Sequence, residues 1–231
     1  MAERVSLKTP GRTRPYFASY YRWLVANHLL QLDLHGERML DVGCDDASFL
    51  YQSAARLRVG VDLAPRARSV GGPEIIQADA RQLPIGDGRF SCILAFDVLE
   101  HIEQDRKVMH ELLRVLAPGG TLWFSTPARA ARLWPSFVQP YANHVFGHVR
   151  NGYTVEQLHR LLPDTSWQME LFFWDEPFLR AAFVPLHVLD RIAPALADVG
   201  TRLCFAADQP RRQGARGHIF GRVTRRECSS D

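Results

Sequence analysis

The 231-residue sequence predicts an α/β fold, an open and mostly parallel sheet with helices on both faces. Two observations predict it. Short apolar runs alternate with amphipathic stretches from Arg38 to Ser125. Between two of those runs, IEQDRKVMHELLRVLAPGG (residues 102–120) repeats Ile102, Val108, Met109, Leu112, Leu113 and Leu116 near helical spacing before Pro118, Gly119 and Gly120 stop it. With 46% apolar and 23% charged residues, the chain can bury a sizeable single core.

Along the chain, YFASYYRWLVANHLLQL (16–32) reads as an aromatic-rich helix ahead of the first strand. The strand candidates that follow are RMLDVG, RVGVDL, EIIQADA, FSCILAF and TLWFST. GYTVEQLHRLLP carries a capping box, Thr154 as N-cap with Gln157 reaching back, and a hydrophobic staple between Tyr153 and Leu158; Pro163 ends it. WQMELFFW and GHIFGRVTRR bring the strands to seven, separated by an apolar insertion that begins at Pro177. One domain covers 1–231: a helical cap (1–37), a core (38–175), an apolar helical insertion (176–216), then the last strand and tail (217–231).

A formal charge of +3 gives no reason to expect a nucleic-acid partner, although arginines far outnumber the two lysines, Lys8 and Lys107. Cys44, Cys92, Cys204 and Cys228 show no metal or disulfide spacing and read as thiols of a reducing cytoplasm. MAERVSLKTPGRTRPYF lacks an apolar signal core, and no stretch is long and uncharged enough to span a bilayer. A cytoplasmic location is expected.

In an open parallel sheet the ligand lies beyond the carboxyl ends of the central strands. Those ends carry Asp41 with Gly43, then Asp62, Asp79 and Asp97, an acid at each of four successive strands. Asp62, about 20 residues after the first loop, suits both hydroxyls of an adenosine ribose, which NAD and S-adenosylmethionine share. The loop LDVGCDDASFL separates them. A pyrophosphate needs the positive end of the following helix. Here Asp45 and Asp46 stand there, and at 4–6 Å with an effective dielectric of roughly 20 they repel it by kilocalories per mole. A phosphate-free cofactor bearing a sulfonium and an ammonium escapes that cost.

The set LDVGC, VGVDLAP, IIQADARQLPIGDGRFSCILAFDVLEHIEQ and LLRVLAPGGTLWFSTP resembles the class I S-adenosylmethionine-dependent methyltransferases, specifically the small-molecule, quinone-biosynthesis-like (type 11) group. The resemblance covers about residues 38–175. It implies a Rossmann-like seven-stranded sheet and S-adenosylmethionine as cofactor. It also implies that Asp41 and Gly43 border the methionine portion, Asp62 with Leu63 binds the ribose, Asp79 receives the adenine amine, and Ala80 and Leu83 pack on the base. Asp97 closes the pocket near the sulfonium, followed by Glu100 and His101. The family loop runs Gly-x-Gly-x-Gly, whereas this chain has Gly43, Asp45 and Ala47. Asp tolerates left-handed backbone better than most residues, and Ala adds one methyl group.

Methyl transfer needs alignment of nucleophile, methyl and leaving sulfur, plus a base for a hydroxyl nucleophile; it does not require a metal, and none is assigned. The candidate bases are His101, His148 and His144. Tyr141, Arg150 and Tyr153, all in YANHVFGHVRNGY, and Tyr20 of the first helix are candidate acceptor contacts. The apolar insertion reads first as a helical pair packed on the sheet edge, with a lid over a hydrophobic substrate or a lipid-touching surface as the alternative, so a lipophilic acceptor is preferred and peripheral membrane contact stays open. The leading functional expectation is methylation of a small, lipophilic biosynthetic molecule at O, C or N. The alternatives are a degenerate scaffold subunit, and a protein using the cofactor for another reaction.

Overall fold

The computed structural model describes residues 16–30, 34, 37–65, 72–211 and 216–226; expectations for residues 1–15, for 31–32 of the first helix and for Cys228 lie outside them. Strands β1 (Arg38–Val42), β2 (Leu57–Asp62), β3 (Glu74–Gln77), β4 (Phe90–Phe96), β5 (Leu116–Pro127), β6 (Trp167–Asp175), β7 (Gln209–Arg211) and β8 (His218–Arg225) form one sheet in the order β3-β2-β1-β4-β5-β8-β6-β7. The first five strands are mutually parallel; β8 inserts antiparallel between β5 and β6.

Alternation along the strands divides the core between two faces. Leu40, Val42, Ile93 and Ala95 face one cluster, Met39, Cys92, Leu94 and Phe96 the other. The first face is covered by α3 (Asp105–Val115), through Val108, Met109, Leu112 and Leu113, and by α5 (Val155–His159). The second is covered by α1 (Phe17–Leu30), α2 (Ser48–Gln52), α6 (Pro177–Ile192) and α7 (Pro194–Ala207). Thr154 caps α5 with the full reciprocal box to Gln157, and Tyr153 and Leu158 are both buried in the first cluster.

The sheet has eight strands where the sequence predicts seven. The extra one, β7, lies inside the apolar insertion and pairs Arg211, Pro210 and Gln209 with Phe173, Trp174 and Asp175. Three residues containing a proline carry no periodic signal, and proline is tolerated there because the strand is at the edge. β3 stops at Gln77, earlier than EIIQADA suggests, because the Asp79 side chain accepts from the Arg81 N–H and turns the chain. The histidine-bearing stretch after β5 is also more than a loop: α4 (Gln139–Phe146) starts with Pro at its second position and ends on left-handed Gly147.

Candidate active site

At the point where strand order reverses, between β1 and β4, a cavity of about 790 Å³ opens beyond the carboxyl ends. Its lining includes Gly43, Asp45, Asp62, Leu63, Asp79, Ala80, Asp97, His101 and His148. The β1–α2 loop forms the floor. Gly43 has φ 78°, and a Cβ there would lie 2.5 Å from Val98 Cγ2, so both backbone and space demand glycine. Asp45 and Ala47 also take left-handed conformations, φ 42° and 58°. The loop keeps the glycine-type path with two non-glycine residues in it.

The acids of the loop are built in. The Asp46 carboxylate accepts from the Ser48 N–H at 3.0 Å and from the Ser48 hydroxyl, occupying donors at the start of α2. Asp62 accepts from the Asp45 N–H at 3.1 Å and the Ala64 N–H at 2.8 Å, one bond per oxygen, which leaves lone pairs on both. Arg81 clasps Asp79 through Nε and Nη2, and the bonds from its side chain and backbone hold that carboxyl at about 2. Asp41 lies behind the loop, buried, with one oxygen lacking a hydrogen-bond partner. Burial, then Asp46 and Asp62, push its pKa well above the ordinary carboxylate range.

Across the cavity, α1, β4, α6 and β8 meet in a charge network of which the sequence points only to Asp97. Arg22 Nε donates to Asp97 at 2.8 Å, and its Nη1 to Glu176 at 3.3 Å. Glu176 also accepts from Arg180 at 2.6 Å and pairs with His218 Nδ1 at 2.7 Å; Ser125 donates to Asp97 at 2.6 Å. Burial works to raise the pKa of Asp97, but Arg22 and His218 outweigh it and hold it well below normal. Glu176 is likewise held low against burial, by His218, Arg180 and Arg22. Asp97 itself has φ 54°, strained backbone at the site edge that these partners fix. A further legible trace of the network is Arg22, a charge in an otherwise apolar aromatic helix.

The third wall carries two histidines and a buried glutamate. His101 Nδ1 lies 3.3 Å from the Gly147 carbonyl. A carbonyl only accepts, so that nitrogen carries the hydrogen and Nε2 of the neutral ring is left as the acceptor. The His101 and His148 rings meet edge to face at 4.7 Å. Burial, then His101, lower the His148 pKa to about 4, which keeps it neutral near physiological pH. Donor atoms of Glu100, His101 and His148 lie within 4.8 Å of one another, a set able to relay a proton or to ligate a divalent cation. Glu100 is fully buried, one oxygen accepts from Thr126, and burial followed by Asp97 raises its pKa well above normal.

Several residues singled out by sequence lie elsewhere. Asp41 and Leu83 are not in the lining. His144 is exposed on α4, and Tyr141 is 72% exposed on the same helix; neither lines the cavity. Tyr20 stacks on Trp23 and accepts from Arg202 outside it. Arg150 and Tyr153 also stand behind the wall: both bond Asp105 and the Leu99 carbonyl, and so clamp the segment that presents His148. Gly152 lets that segment close, since a Cβ there would lie 2.1 Å from the Pro127 oxygen.

Residues 40–124 match a family model described as a methyltransferase domain. That stretch of the chain is similar to a methyltransferase domain. Over 109 residues the chain is 36% identical to a ubiquinone biosynthesis O-methyltransferase of Xanthomonas oryzae pv. oryzae, covering 42% of this chain and 45% of the relative. A demethylmenaquinone methyltransferase of Clavibacter sepedonicus is 34% identical over 118 residues, covering 46% and 48%. The chain spans about half the length of these curated relatives. An S-adenosylmethionine-dependent methyltransferase structure from Mesorhizobium loti superposes over 91% of this chain and 100% of that one, with TM-score 0.60 and 19% identity, which establishes the shared fold. The matched stretch runs from β1 into β5, and the cavity lies at the carboxyl edge of those strands.

Proposed function

We propose that the protein is an S-adenosylmethionine-dependent methyltransferase whose acceptor is a small lipophilic molecule of the quinone-precursor kind. One observation carries the reading: three acids from successive strand ends, Asp62, Asp79 and Asp97, and a loop with left-handed backbone at Asp45 and Ala47 converge on the same cavity edge. The residues fit a phosphate-free cofactor. Asp62 has lone pairs on both oxygens for ribose hydroxyls, and Gly43 permits close backbone approach. Asp46 occupies the α2 donors that a pyrophosphate would need. The named activities of the quinone-pathway relatives support the acceptor class.

When bound, the cofactor supplies an electrophilic methyl group for in-line displacement. The chain's residues do the rest. Asp62 and Asp79 fix the nucleoside end, and Asp97, locked by Arg22 and Ser125, holds the edge of the reacting region. His101 Nε2 receives the acceptor's hydroxyl proton, with His148 beside it and Glu100 behind. Phe146, Phe183 and Leu179 give the acceptor half an apolar wall.

Calorimetry with S-adenosylmethionine and its demethylated product tests the cofactor. Micromolar binding is expected, weakened at least tenfold by Asp62→Ala, about 1.4 kcal/mol. Absence of heat for both ligands would give the scaffold reading precedence. His101→Ala and His148→Ala, assayed for methyl transfer to an isoprenyl catechol at saturating cofactor, test the base; unchanged turnover in both removes them from the mechanism.

A further inference from the structure

The two helices of the apolar insertion are apolar on the wrong side. α6 buries Leu179 and Leu186 inward, yet also exposes Phe178, Val184, Val188 and Ile192, the last at 73%. At 100° per residue those four fall within an arc of roughly 120° that holds no charged residue. α7 buries Ala197, Thr201 and Cys204 and exposes Leu196, Val199 and Leu203 on its outer side. A helix that buries one apolar face and turns a second apolar face outward calls for cover on that second face, from protein or from lipid. These two lie on the outside of the fold.

The surroundings select the occupant. Arg191 and Arg202 are exposed beside the apolar faces, one on each helix. The segment 128–151 contains no Asp or Glu, and its Arg129 and Arg132 are exposed, with Trp134 at 67% and Tyr141 at 72%. The two stretches meet where the Trp134 N–H donates to the Arg180 carbonyl and Phe146 packs edge-on against Phe183. The acids of the hairpin, Asp190 and Asp198, are half-buried. Apolar residues flanked by exposed arginines and by an amphipathic Trp and Tyr suit the boundary between acyl chains and anionic headgroups. A second copy of the chain would instead bring those arginines face to face.

We infer that the outer face of the α6–α7 hairpin, with the adjoining 128–151 segment, docks on an anionic lipid bilayer. Leu179, Arg180 and Phe183 of α6 also line the cavity, so docking sets the acceptor half of the cavity beside the membrane. The surface stands on its own geometry, whatever the cavity binds.

Co-sedimentation of the full chain with phosphatidylcholine vesicles, with and without phosphatidylglycerol, tests it, each run without cofactor. Binding is expected only with phosphatidylglycerol and should weaken with salt. Val188→Asp with Leu203→Asp should lower partition about tenfold, with thermal melting unchanged. Arg132→Glu with Arg191→Glu should lower partition and flatten the salt dependence. No partition of the wild type, or equal partition of the apolar-to-Asp variant, overturns the proposal. So does a wild-type dimer in sedimentation velocity that this variant dissolves while no vesicle is bound. Cofactor calorimetry on the same samples reads the methyltransferase proposal separately.

Discussion

Asp45 and Ala47 hold left-handed backbone at positions where glycine would be the ordinary residue. The left-handed region costs an ordinary L-residue about 1–2 kcal/mol, less for Asp, whose side chain bonds locally. Asp45 has φ 42° and donates its N–H to Asp62, so the strained residue also orients the proposed ribose acceptor. Asp45→Gly is expected to leave stability within about 0.5 kcal/mol, relief of strain offsetting added chain entropy. Cofactor affinity should hold within about threefold; a collapse in calorimetry would make the Asp45 side chain a contact. His148 gives a pH signature. Its folded pKa, about 4, lies below the ordinary histidine value, so the unfolded chain binds the extra proton between the two and stability falls as pH drops through that window. His148→Gln should lose less stability than wild type between pH ~6.5 and ~4, read from urea midpoints.

Helix α1 brings one charged side chain to the site. Arg22 bridges Asp97 at the end of β4 and Glu176 at the start of α6, and the Tyr21 hydroxyl reaches Asp208 at the end of α7. Removing one member of such a network leaves buried charges unpaired, which costs about 3–5 kcal/mol. Arg22→Met is therefore expected to unfold at markedly lower urea than wild type, and to weaken cofactor binding by releasing Asp97. The stretch after β5 works the same way. Arg150 and Tyr153 clamp residues 147–149 against the turn bearing Glu100 and His101, and the Val149 N–H bonds the Glu100 carbonyl. These residues position His148, a role that a polar, aromatic segment does not advertise, since the same composition suits a solvated loop or an acceptor pocket.

Over the whole molecule, the sheet sorts chemistry by edge. The acids gather at the carboxyl ends of the parallel strands, and the exposed apolar side chains gather on the hairpin beside the cavity. A ligand that binds only the folded state stabilises it, by about 2.7 kcal/mol at a hundredfold excess over Kd. The demethylated cofactor is expected to raise the melting temperature, while NAD at the same concentration should not, because Asp45 and Asp46 face its pyrophosphate. An equal shift by NAD would undo the electrostatic argument.

The parallel core and the four strand-end acids were legible because period-two and helical patterning, together with stop signals such as Pro118-Gly119-Gly120, are local in sequence. So was the Thr154 box, whose partners lie three residues apart. The rest depended on contacts across the chain. Arg22 meets Glu176 over 154 residues and Tyr21 meets Asp208 over 187, separations that no periodicity encodes. The sequence by itself determined the α/β core, the acids near the strand ends and the pair Asp45-Asp46 at the start of the helix where a pyrophosphate would need positive charge. Only the tertiary structure decided which histidine faces the cavity and which faces solvent, and that Tyr153 supports the wall instead of lining it. The physical reason is that strand ends are fixed by local pattern, whereas side-chain exposure after β5 is fixed by distant packing partners.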